Sequence, residues 1–208
     1  MARPAMTLQL KDVLGRDLIK EVGFDRVPTE IIEKRVVDLL SLKGKKAVVT
    51  GAGGPGLGQA CANRLAGCGA DVALVDLDLA GAERNAETVA ERWGTTKAFA
   101  IRGNASDWDD VHRFLRECHE KLGGIDILVN NVGGSGGPRT FESQTREQID
   151  STIARTLIST VYCSHAILEY MIPQRSGHII NVSSAAGFGP CPHVAVYGAC
   201  KAGVINLT

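Results

Sequence analysis

The sequence predicts an α/β protein built on a doubly wound parallel sheet, and three observations predict it. From Lys43 onward, short apolar runs alternate with longer stretches of helical period. A glycine-rich turn joins the first run to the first helix, and an acidic residue closes the second run. Parallel neighbours cannot be joined by tight hairpins, so this alternation implies right-handed strand–helix–strand units with helices on both faces.

The elements follow in order. Residues 1–42 read as an N-terminal helical arm with amphipathic segments at Leu8–Val22 and Thr29–Leu40; Ile32, Val36, Leu39 and Leu40 fall on one face of the second, and Pro28 suits its start. The arm packs on the domain or straps a sister subunit. Residues 43–208 form the main domain. "KAVVT" (46–50), "DVALVD" (71–76), "KAFAIR" (97–102), "IDILVN" (125–130) and "GHIINVS" (177–183) are the five strands. Their continuous rather than alternating apolar character suits strands covered on both faces. Helices fall after the glycine turn to Ala66, from the second strand to Trp93, and near 107–122 and 146–172. In the last, Ile149, Ile153, Val161 and Leu168 serve the core or a subunit contact.

Composition excludes several classes of function. Of 208 residues, 23 are basic and 23 acidic, without a like-charged block, so neither nucleic acid nor a membrane surface is an expected partner. Six cysteines lack metal-ligand spacing, which points to reduced, mostly buried thiols and no metal. The start lacks the apolar core of a signal peptide, and no run approaches the ~20 apolar residues of a membrane span. A soluble cytoplasmic protein is expected.

The turn "TGAGGPGLG" (50–58) contains five glycines. A pyrophosphate approaches backbone amides only where side chains are absent, and the following helix N-terminus adds free N–H groups and positive dipole. Thr50, Gly51, Gly53, Gly56, Leu57 and Gly58 are therefore candidate cofactor contacts. Asp76 lies twenty residues past Gly56, where a carboxylate bonds the adenosine ribose hydroxyls and repels a 2′-phosphate. NAD is expected over NADP. Asn104 follows the third strand and either borders the adenine or forms a turn.

Tyr197 and Lys201 stand four apart in "VAVYGACKAGVINL", which reads as a helix and stacks them on one face. A lysine ammonium beside a phenol stabilises the phenolate and draws a tyrosine down from its usual ~10, making it an acid or base for an alcohol/carbonyl pair. "NVSSAAG" ends the fifth strand at the sheet edge where doubly wound folds bind ligands, and Ser184 presents a hydroxyl there.

Taken together, the Thr-Gly turn, "NNVGG" (130–134) after the fourth strand, Ser184, Tyr197 and Lys201 resemble the short-chain dehydrogenases/reductases, over about 43–208. The resemblance implies a Rossmann fold with a seven-stranded sheet, and an NAD(P)-dependent interconversion of a secondary alcohol and a ketone. It makes Tyr197 the proton donor or acceptor. Lys201 assists it and bonds the nicotinamide ribose, Ser184 orients the substrate oxygen, Asn130 supports the sheet beside the cofactor, and Gly133 lines the cofactor path. It also implies a homo-oligomer, paired through the long helix and the Tyr197 helix. "GGSGGPRT" (133–140) and "AAGFGPCPHVAV" (185–196) then border the substrate, with Phe188 as an apolar wall and His193 at a loop surface.

The sequence departs from that family at three places. The glycine turn has one residue more than the usual Thr-Gly-x-x-x-Gly-x-Gly, so it must bulge outward or shift the helix start. Thr156 stands where the family places an asparagine that bends the long helix and holds a relay water; a weakened or rerouted relay is expected. The chain also lacks the sixth and seventh strands, and is expected to be a fragment of a longer protein. Two rival readings follow, a non-catalytic dinucleotide-binding remnant and an epimerase or dehydratase using the same Tyr-Lys pair.

Overall fold

A computed structural model describes residues 35–94 and 97–208. The chain divides into two compact units, Met1–Ser41 and Leu42–Thr208. In the first, the described part is one short helix, α1 (Val36–Leu39), with Arg35 paired to Asp38 at 2.8 Å. The segment 8–22 and the first half of 29–40, with Pro28 and Ile32, lie outside the described residues.

The second unit carries a five-stranded, wholly parallel sheet: β1 (Lys46–Thr50), β2 (Asp71–Asp76), β3 (Ala98–Arg102), β4 (Ile127–Asn130) and β5 (His178–Asn181). Its order is β3-β2-β1-β4-β5. The direction of winding therefore reverses between β1 and β4, and a ligand crevice opens beyond the carboxyl ends of those strands. Helices α2 (Leu57–Gly67) and α3 (Leu79–Trp93) cover one face, burying Ala47, Val49, Leu74 and Ile127 with Ala62, Ala82 and Val89. Helix α4 (Trp108–Leu122) and the long helix cover the other, over Val48, Val75, Phe114, Leu128 and Ile167. Burial on both faces is why the strands read as unbroken apolar runs. β4 and β5 are shorter than their apolar runs suggest. β5 is an edge strand whose exposure alternates, leaving Ile180 47% exposed.

The long helix is not continuous. It consists of α5 (Arg146–Ile153), a π-turn (Ala154–Ile158) and α6 (Ser159–Gln174). Thr145 begins it with a reciprocal capping box to Gln148. Ile149, Ile153 and Val161 are half-buried and Leu168 is exposed. The last helix, α7 (Ala195–Leu207), packs on the turn Ala185–Gly187 and on the π-turn. Among the described residues no helix is long and apolar enough to cross a membrane. No cluster of His, Cys, Asp or Glu among them could hold a metal. Cys118, Cys163 and Cys200 are buried and Cys191 is exposed; burial pushes the Cys118 and Cys163 thiols up.

Candidate active site

The glycine turn takes its extra residue as an outward bulge. Gly54, Pro55 and Gly56 are exposed, Gly53 and Gly58 are buried, and α2 starts at Leu57, itself 55% exposed. Three side chains fix the inner side of the bulge. The Asp76 carboxylate accepts from the Gly53 amide at 2.7 Å and from the Asp78 amide at 2.9 Å. Buried Asn85, on α3, donates to the Ala52 carbonyl at 2.7 Å and the Gly54 carbonyl at 3.2 Å, and accepts from Gln59 at 2.8 Å. Asn131 donates to the Gly51 carbonyl at 2.9 Å and the Thr50 carbonyl at 3.1 Å. The added length is thus absorbed by paired backbone groups.

Above this turn lies a cavity of about 300 Å³ bordered by Thr50, Gly51, Asp76, Asn104, Asn131, Val132, Gly133 and Arg155. It brings together Thr50 and Gly51 of the predicted turn, Asp76 at the end of β2 and Gly133 after β4, whereas Gly53, Gly56, Leu57 and Gly58 lie outside its lining. Glycine leaves the outer side of the turn bare at Gly54 and Gly56, where an added Cβ meets nothing within 4 Å, and lets the inner side pack closely on its neighbours. A Cβ at Gly51 (φ +67°) would meet Val132 at 3.2 Å, and one at Gly53 would meet Asp76 at 2.7 Å.

Asn104 lines the cavity while closing its own turn, and Asn130 supports the sheet from outside the cavity. The Asn104 side chain accepts from the Ser106 amide at 3.0 Å, closing its own turn. Asn130 points away from the cavity lining: its amide donates to Ser164 at 2.9 Å and to Asn181 at 2.8 Å, tying β4 to β5 and the long helix. Its side-chain oxygen is buried and without a hydrogen-bond partner among the described residues. Asn131 takes the cavity side, since successive residues of an extended chain face opposite ways.

Tyr197 and Lys201 lie on one face of α7, the ammonium 5.8 Å from the phenol ring centre. Tyr197 is half-buried, whereas Lys201 is 3% exposed. The ammonium donates to the Val182 carbonyl at 2.5 Å, just past β5. Burial holds it below the ordinary lysine range, with neighbouring Cys200 acting weakly the other way. A Cβ on Gly133 would lie 3.2 Å from that nitrogen, so the turn after β4 passes directly over it. Ser184 caps the turn 185–187, its hydroxyl accepting from the Ala186 amide at 3.2 Å. That turn meets α7 closely, with a Cβ at Gly198 falling 2.8 Å from the Ala186 carbonyl.

Thr156 sits in the π-turn with no exposed surface. Its hydroxyl lies 3.4 Å from both the amide and the carbonyl of Gly134. The long helix is thus interrupted by a π-turn at the position where an asparagine was expected to bend it. Beside it, Arg155 donates to the Gly134 carbonyl at 2.9 Å and to Thr152 Oγ1 at 3.3 Å. A second cavity, about 320 Å³, joins Arg155 to Tyr197, with Arg139, Glu147, Gln148 and His193 on its walls. Phe188, expected as a wall here, instead stands 83% exposed over a separate apolar hollow with Pro190 and Cys191.

Comparison with known proteins agrees with this arrangement. The family described as short chain dehydrogenase matches residues 45–208. The chain belongs to that family. It is 37% identical over 166 residues to a 1,6-dihydroxycyclohexa-2,4-diene-1-carboxylate dehydrogenase of Pseudomonas putida, covering 80% of this chain and 59% of that protein. It is 35% identical over 190 residues to an NADP-dependent mannitol dehydrogenase of Hypocrea jecorina, covering 87% and 68%. The NAD+-bound structure of a xylitol dehydrogenase superposes with a TM-score of 0.76 at 30% identity, over 80% of this chain and 63% of that one. The chain thus spans about three fifths to two thirds of the length of these relatives.

Proposed function

We propose that this chain carries the cofactor site and the reacting groups of an NAD-dependent dehydrogenase that oxidises a secondary alcohol to a ketone. The observation that carries the reading is the half-buried Tyr197 phenol, set beside the buried Lys201 ammonium where the substrate-sized cavity approaches the glycine-lined one. Lys201 favours the Tyr197 phenolate, which accepts the hydroxyl proton and becomes the phenol, and Ser184 donates to the same substrate oxygen. NAD, held by the glycine turn and the Asp76 side of the cavity, would supply the hydride acceptor. Asp76 supports NAD over NADP, because a carboxylate at the end of β2 would repel a 2′-phosphate bound beside it.

The test is an assay of NADH formation on a panel of secondary alcohols, run in parallel with NADP. The expected result is NADH formation with kcat/KM at least tenfold higher for NAD than for NADP, narrowed by Asp76→Asn. Binding of either dinucleotide with no oxidation of any alcohol would overturn the catalytic reading.

Thr156 favours a second reading, a cofactor-binding remnant with a broken relay. The π-turn and the contacts to Gly134 support the active form instead. Thr156→Asn is expected to raise turnover by less than about tenfold; a gain of a hundredfold, the scale of a whole acid–base group, would favour the remnant.

A further inference from the structure

We propose that the cavity beside Tyr197 selects secondary alcohols bearing a carboxylate, with Arg155 as the residue that reads the charge. This deepens, and rests on, the dehydrogenase reading above. Arg155 is half-buried, and the Gly134 carbonyl and Thr152 hydroxyl occupy two of its five N–H donors. No carboxylate among the described residues lies within ion-pair distance of it. A guanidinium is charged at every working pH, and removing it from water without an anion is costly. Arg155 borders both the cofactor cavity and the 320 Å³ cavity that is also lined by Tyr197.

The rest of the lining adds one charge of each sign. Arg139 stands at the rim, where its amide donates to the His193 carbonyl at 2.8 Å and joins the two walls. Glu147 opposes them. It is exposed in the first turn of α5, and its own amide and the Thr145 hydroxyl hold its carboxyl below the usual range. Two arginines against one glutamate leave the cavity positive, and the half-buried charge is the arginine's. The volume suits a small hydroxy acid. A carboxylate held by Arg155 keeps the remainder of such a molecule in the space that Tyr197 borders.

The experiment compares matched pairs with NAD on the full protein: 3-hydroxybutyrate and 3-hydroxycyclohexanecarboxylate, each against its methyl ester. Acids are expected to exceed esters in kcat/KM by about thirtyfold or more, the scale of a desolvated charge pair. Arg155→Gln, which retains an amide donor for the Gly134 carbonyl, removes that preference, so that acid and ester react alike in the variant, while Arg155→Lys recovers part of it. A merely structural clasp would lower acids and esters together, along with Tm. Calorimetric binding of cyclohexanecarboxylate against cyclohexanecarboxamide reads the site without turnover. The acid is expected to bind at least tenfold tighter, and Arg155→Gln to abolish the difference. Preferential carboxylate binding with no alcohol oxidised would sink the dehydrogenase reading and leave this one standing. Equal oxidation of acids and esters, with equal binding of the two probes, would overturn this proposal alone.

Discussion

Tyr197→Phe lowers turnover by about a hundredfold to ten-thousandfold, while dinucleotide affinity and Tm stay at wild-type values. The magnitude is that of one positioned acid–base group. The selectivity follows from what the substitution removes. A phenylalanine ring occupies the same half-buried space on α7 and keeps the Lys201 ammonium over its face. The glycine turn, Asp76 and Asn131 are untouched, so the cofactor cavity keeps its shape. Only the hydroxyl is lost. Rates of NADH formation at saturating substrate give the catalytic arm, and calorimetric titration with NAD gives the binding arm. Full turnover by the phenylalanine variant would mean that another group moves the proton. A joint loss of turnover and NAD affinity would mean that the hydroxyl supports the fold of the site.

Much of this was legible in the sequence because the features are local. Buried strands such as Val48–Val49 and Val72–Val75 are apolar at consecutive positions, and a tyrosine and lysine four apart share a helical face wherever a helix forms. What escaped depends on tertiary partners. Asn85 shares the buried face of α3 with Ala82, Ala86 and Val89, and nothing in the sequence says what its amide meets there. Its role appears only when the bulge at 52–54 presents carbonyls to it. Asn131 was hidden by its neighbour: in "NNVGG" the pleat sends one amide into the β4–β5 network and the other to the glycine turn, and the resemblance pointed to Asn130. The π-turn leaves no compositional mark, because Ala154–Ile158 is as good a helix former as its flanks. Arg155 was visible only as a neighbour of Thr156. Its half-burial beside an open cavity is a fact of packing.

Gly58→Ala is expected to cost about 2–4 kcal/mol of stability and to weaken NAD binding at least tenfold, whereas Gly54→Ala leaves both nearly unchanged. The two positions lie in one turn but differ in what a methyl group would meet. At Gly58 it would overlap the Gly51 carbonyl and fall 2.7 Å from the Asn131 amide nitrogen. Neither neighbour can yield alone. Gly51 is in the left-handed region at φ +67°, and its carbonyl accepts from Asn131, which also holds the Thr50 carbonyl. Displacing that carbonyl therefore breaks the link between β1 and the turn after β4, the two walls of the cofactor cavity. At Gly54 an added Cβ meets nothing within 4 Å, and the residue is exposed on the bulge. There alanine mainly restricts the unfolded chain. Thermal unfolding should show a fall in Tm of roughly 5–15 °C for Gly58→Ala and little change for Gly54→Ala, with NAD titration following the same order. If Gly54→Ala instead abolished NAD binding at unchanged Tm, the bulge itself would be the surface that meets the phosphates. The extra residue would then belong to the cofactor site, and the order of importance within the turn would reverse.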